Sequence, residues 1–215
     1  MGRLYRGLPA LARAPKLAPV KRLVLATQNP GKLREFRRLL AGLPLEVVAP
    51  ADVGLTLDVP EEGDSYTAHS EAKAAAYAAA GRCLALADDS GIEVDALAGR
   101  PGVHSARYGG PGLDDAGRTA LLLYELEGVP AERRTARYRA VVTIAGCGPA
   151  RSFEATMEGR IATAQRGSGG FGYDPVFEIA DGRTSAELSE EEKDALSHRG
   201  KAVRLAAAYL RELLT

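Results

Sequence analysis

The sequence predicts an α/β fold: a mixed central β-sheet flanked by helices. Three observations predict it. Short apolar runs at 22–26 and 83–87 have the length and composition of buried strands. Helical segments with an apolar or alanine-rich face alternate with them. Residues 137–158 hold two strand-like runs close enough to pair as an antiparallel hairpin, which a purely parallel sheet does not contain.

The elements follow in order. Arg22–Ala26 reads as the first strand, broken by Thr27, Gln28, Asn29, Pro30 and Gly31. A helix follows, with Leu33, Phe36, Leu39 and Leu40 on one face. Leu45–Val48 is a second short strand, and Asp58–Asp64 an acidic connection. Ser65 is placed to cap a helix over 68–80 that Gly81 stops. The strand Cys83–Ala87 is expected to end on Asp88, Asp89, Ser90 and Gly91. Asp115–Glu127 reads as helix, Arg137–Ala145 and Arg151–Glu158 as paired strands, and Gly167–Asp174 as a glycine-rich loop. A short strand at Pro175–Ile179 and a last helix from Ser197 complete the list. No repeat or linker divides the chain, so 21–215 reads as one domain. Residues 1–20, with Arg3, Arg6, Arg13, Lys16 and three prolines, read as a disordered extension, because Pro9, Arg13 and Pro15 interrupt any signal-peptide core.

Composition limits the partners. The 215 residues are enough for a substantial core. Basic and acidic residues balance at 28 each, so no global field favours nucleic acid or an acidic membrane. A polyanionic ligand must then be held by local charge. No apolar run approaches the roughly 20 residues that span a bilayer. Cys83 and Cys147 form no metal or disulfide pattern and read as reduced thiols of a soluble, cytoplasmic protein.

Four segments carry chemistry. Thr27 to Lys32 leaves a strand and enters a helix, where free N–H groups and the positive helix end suit phosphate; Gly31 permits close approach and Lys32 adds charge. It also reads as a plain turn, and it lacks the Walker A pattern. Asp88 and Asp89 place two carboxylates beside an expected strand end, a position suited to Mg²⁺ and to activation of water, or else an Asx-rich turn. Phe171, Gly172, Tyr173 and Asp174 can wrap a flat heterocycle or plug the core. Lys193, His198 and Arg199 crowd cations at a helix start against its dipole, a local conflict often kept for function, or else form a solvated basic turn. His69 and His104 show no metal-ligand spacing, and the alanines of 72–80 read as close helix packing.

Together these segments resemble the inosine triphosphate pyrophosphatase family, which hydrolyses non-standard purine triphosphates. Thr27-Gln-Asn-Pro-Gly-Lys32 matches its T-x-N-x-x-K, and Ala87 to Val94 its A-D-D-S-G-L-x-V. Pro101 to Tyr108 matches P-G-x-x-S-A-R-Y, Phe171 to Pro175 F-G-Y-D-P, and Ala186 to Gly200 A-E-L-x-x-E-E-K-x-x-x-S-H-R-G. The resemblance covers Arg22 to the C-terminus. It implies two lobes with the site in the cleft, a homodimer, and a Mg²⁺-dependent diphosphatase. By position, Thr27, Gln28, Asn29, Pro30, Gly31, Lys32 and Ser90 would hold the triphosphate, with Lys73 adding a contact. Asp89 would be catalytic base and metal ligand, with Glu61 or Glu62 as second ligand. Phe171, Gly172, Tyr173, Asp174, Lys193, His198 and Arg199 would surround base and sugar, the charged His198 and Arg199 donating to a 6-oxo purine. One departure stands out: Ala68-His69-Ser70 replaces the family's Glu-Asn-Ala, removing a carboxylate and an amide near the metal. Expected products are the monophosphate and pyrophosphate from ITP, dITP or XTP. The alternatives are a pyrophosphatase of modified or pyrimidine triphosphates, or a catalytically impaired nucleotide binder.

Overall fold

The computed structural model describes residues 21–215; the extension read from residues 1–20 lies outside them. The sheet grows from the apolar runs, because a strand sends successive side chains to opposite faces. In β1 (Lys21–Leu25), Leu23 and Leu25 pack on one face and Val24 on the other. β1 lies between β2 (Leu45–Val48) and β3 (Leu84–Val94), parallel to both. β3 then pairs antiparallel with β4 (Thr135–Ala145), β4 with β5 (Arg151–Ile161), and β5 with β6 (Phe177–Glu178). The order is β2-β1-β3-β4-β5-β6, a mixed six-stranded sheet as expected.

Helices cover both faces. α1 (Pro30–Leu39) and α5 (His198–Leu214) meet Leu23, Leu25, Leu84 and Leu86 on one side. α2 (Tyr66–Gly81) meets Val24, Ala26, Ala85 and Ala87 on the other, through Ala74, Tyr77 and Ala78. The alanines let the helix backbone approach the sheet closely, as their spacing suggested. Ser65 caps α2, its side chain accepting from the Ala68 N–H. A second lobe forms where β3, β4 and β5 run on: Ile92, Val94, Tyr138, Met157 and Ile161 enclose Phe177 and Val176 beneath α3 (Asp115–Glu125).

Three expectations change. β3 does not end at Ala87. It runs through Asp88–Gly91, which pair with Val142–Arg139 of β4, so the acidic motif is strand rather than turn. The strand expected over Pro175–Ile179 shortens to Phe177–Glu178. A further helix, α4 (Glu190–Leu196), precedes α5 and carries Lys193.

Candidate active site

Because β3 is extended through the motif, its two aspartates face opposite sides of the sheet. Asp88 turns toward α1 and α5. It lies 2.7 Å from Lys32 Nζ and 3.3 Å from Arg199 Nη2, and Ser90 Oγ donates to it at 3.1 Å. Burial pushes its pKa up, but Arg199 and Lys32 outweigh burial and hold it below the usual carboxylate range. Its Oδ1 is buried without a partner. Asp89 turns toward α2, where His69 Nδ1 is 3.0 Å from Oδ2 and Lys73 Nζ 3.3 Å from Oδ1. Here burial wins, and the Asp89 pKa is raised despite Lys73 and Lys32.

Lys73 also reaches Glu61 Oε1 at 2.8 Å, and Arg107 pairs with the other Glu61 oxygen. Burial raises the Glu61 pKa, yet these two cations hold it at about 2. Glu61 thus enters the site and stays ionised. Glu62 is exposed and turns only its carbonyl inward, to His69.

The predicted phosphate loop does more local work than expected. Asn29 Oδ1 caps α1 by accepting from the Lys32 N–H at 3.0 Å, Pro30 takes the first helical position, and Thr27 Oγ1 accepts from the Asn29 N–H. Gln28 is exposed on the cleft wall. Gly31 also has a packing reason: a Cβ there would stand 2.6 Å from Phe171 Cδ1. The aromatic loop therefore rests on the start of α1.

That loop is clamped from within. Asp174 accepts from the Phe171 N–H at 2.8 Å, from Lys193 at 2.5 Å and from the Tyr138 hydroxyl at 3.3 Å. Lys193 continues to Glu35 at 2.8 Å, and Glu35 to Arg199 at 2.5 Å. Lys193 and Arg199 also lie over the Phe171 ring, at 4.9 and 5.5 Å from its centroid. These cations resolve the conflict seen at the helix start: they are buried partners of Glu35, Asp88 and Asp174, not a solvated turn. His198 corrects a further expectation. Its ring stacks on Tyr138 at 4.6 Å, and burial together with the neighbouring Arg199 charge lowers its pKa far enough to keep it neutral.

Two adjoining pockets make one cleft. The aromatic pocket is lined by Tyr138, Phe171, Tyr173 and His198. The acidic pocket is lined by Glu61, Lys73, Asp88 and Asp89. Asn29, Lys32, Ser90 and Ala106 line both. Sequence reasoning missed Asp115, which accepts from the Gly172 N–H at 2.9 Å, and Arg118 beside it; both sit on α3, far from any motif. It also passed over His69.

No group of three or more His, Cys, Asp and Glu side chains among the described residues is arranged to hold a metal alone. Asp89 and Glu61 nonetheless suit Mg²⁺, a hard cation that takes one or two carboxylates and completes its shell with water and substrate phosphate. The Lys73 ammonium already bridges these two carboxylates, which marks a demand for positive charge between them.

Known proteins resemble this chain over most of its length. The Ham1 family model matches residues 23–209. A dITP/XTP pyrophosphatase of Symbiobacterium thermophilum is 51% identical over 198 residues, 90% of this chain and 97% of its own. That of Bacillus subtilis is 41% identical over 86% and 94%. The structure of the Staphylococcus aureus Ham1 protein superposes with a TM-score of 0.79 at 34% identity, covering 89% of this chain and 99% of its own.

Proposed function

We propose that this chain, which belongs to the Ham1 family, removes non-standard purine nucleotides (ITP, dITP and XTP) from the nucleotide pool by cleaving them to the monophosphate and pyrophosphate. The names of its relatives support the reaction and substrate class. The carrying observation is the continuous cleft, aromatic at one end and acidic at the other, joined through Asn29, Lys32 and Ser90.

The base lies against Phe171 and Tyr173. His198, neutral and stacked on Tyr138, offers one ring N–H and one acceptor. Arg199 is engaged by Glu35, Asp88 and Ser90, so it orders the pocket floor more than it reads the base. Recognition of a 6-oxo purine then falls to His198 and the backbone around Phe171–Asp174. The triphosphate runs past Thr27–Lys32 and Ser90 to the acidic pocket. Asp89 and Glu61 would hold Mg²⁺ there, which would supply charge neutralisation for the phosphate oxygens and the leaving group. Asp89 accepts the proton of the water that attacks the α-phosphorus, the bond to the β-phosphate oxygen breaks, and Lys32 and Lys73 stabilise the departing pyrophosphate. A homodimer in the cytoplasm belongs to the same reading and rests on the family resemblance. No described helix is long and apolar enough to cross a membrane.

Product analysis with ITP, XTP, ATP and GTP, with and without Mg²⁺, tests this. The expected result is metal-dependent pyrophosphate and monophosphate from ITP and XTP, with little from ATP or GTP. Orthophosphate as first product moves the attack to the γ-phosphorus and removes the mechanism. Equal turnover of ATP and ITP removes the base assignment.

A further inference from the structure

His69 stands where the resembled family has an asparagine, and it is 2% exposed. Its Nε2 lies 3.1 Å from the carbonyl oxygens of both Glu62 and Gly63. Carbonyls only accept, so Nε2 is the donor. Its Nδ1 lies 3.0 Å from Asp89 Oδ2. Lys73, four residues on and so on the same face of α2, holds Asp89 Oδ1 at 3.3 Å and Glu61 at 2.8 Å. A carboxylate oxygen also accepts, so the Nδ1 contact is a hydrogen bond with a proton held between Nδ1 and Oδ2, and the ring is then tied at both nitrogens, to the acidic loop on one side and to the strand carboxylate on the other.

We propose that His69 is a positioning residue: seated through Nε2 on the Glu62 and Gly63 carbonyls, it sets the orientation of the Asp89 carboxylate. The proposal rests on the reading of Asp89 given above. A purely structural role, filling space beneath the loop, predicts different behaviour, because the two contacts separate chemically. An asparagine amide reaches about as far as Nδ1 and a glutamine amide about as far as Nε2. His69→Asn therefore keeps a partner for Asp89 and releases the loop, while His69→Gln keeps the loop and releases Asp89.

Both variants are made in the full chain. His69→Gln is expected to lower kcat about 10–100-fold, the usual loss when a group orienting a metal ligand is removed. Its KM stays within about threefold, and His69→Asn retains kcat within about threefold. Gln with wild-type kcat, or Asn and Gln losing activity equally and in step with melting temperature, overturns the proposal. A second readout needs neither metal nor nucleotide. With ¹⁵N-histidine label, Asp89→Asn is expected to move the His69 Nδ1 resonance and leave Nε2 in place; an unmoved Nδ1 overturns the contact. Failure of the underlying reading looks different: Asp89→Asn would keep its turnover while the Nδ1 shift persisted.

Discussion

At the base end of the cleft, Glu35, Asp88 and Asp174 face Lys32, Lys193 and Arg199, three carboxylates against three cations joined in one chain of ion pairs. All but Lys32 are buried. At the other end, Asp89 and Glu61 share Lys73, Arg107 holds the second Glu61 oxygen, and burial leaves Asp89 with a raised pKa. The adjacent residues Asp88 and Asp89 belong to these two environments only because a strand alternates its side chains. The comparison teaches that carboxylates closed into a buried chain of ion pairs build a floor, whereas carboxylates lining an open pocket, held by Lys73 and a more exposed Arg107, stay within reach of external positive charge.

The widest gap between the two ends is expected from Asp89→Asn. Turnover should fall by about 10²–10⁴-fold, as for loss of a general base. Stability should move the other way. A carboxyl whose pKa is raised by folding contributes stability below its unfolded value of about 3.9 and loses it as pH rises through the folded value. At pH 7 ionised Asp89 therefore opposes folding, and the variant should melt at or above wild type, with the difference narrowing toward pH 3. Thermal melts across pH, beside pyrophosphate release, decide it; a lower melting temperature at pH 7 breaks the contrast.

The next effect is on the balanced end. Arg199→Met leaves Glu35 and Asp88 buried with less compensation and should cost about 3–5 kcal/mol, read from the urea midpoint. Stability equal to wild type would mean that the ion pairs are not a floor. The smallest is Gly31→Ala, whose added methyl meets Phe171 at 2.6 Å. Overpacking of about 1–3 kcal/mol is expected, with KM for nucleotide rising more than kcat falls. An unchanged KM would uncouple the aromatic loop from α1.

Much of this was legible in the sequence. The apolar runs of β1 and β3, the Ser65 cap and the hairpin are local signals, and the five motifs lie along one cleft. What was lost had physical reasons. Asp88–Gly91 has turn composition, yet pairing with β4 holds it extended; propensity yielded to the ladder. α4 is only seven residues long, but its capping box was readable: Ser189 accepts from the Glu192 N–H, and Glu192 accepts from the Ser189 N–H. The neutrality of His198 and the contact between Gly31 and Phe171 depend on tertiary neighbours that no local pattern encodes. His69 was dismissed for lack of metal-ligand spacing, since its partners come from a loop and from strand β3.

The long pairing of β3 with β4 has a mechanical consequence. It runs unbroken from Ala85↔Ala145 to Val94↔Ala136, through the motif and across both lobes. Ten consecutive rungs make a stiff spine, so the cleft has no hinge at its own floor. Widening the gap by bending there would break ladder hydrogen bonds beside Asp89. Any opening of the cleft must instead come from segments outside this ladder, while the strand that carries Asp89 stays still.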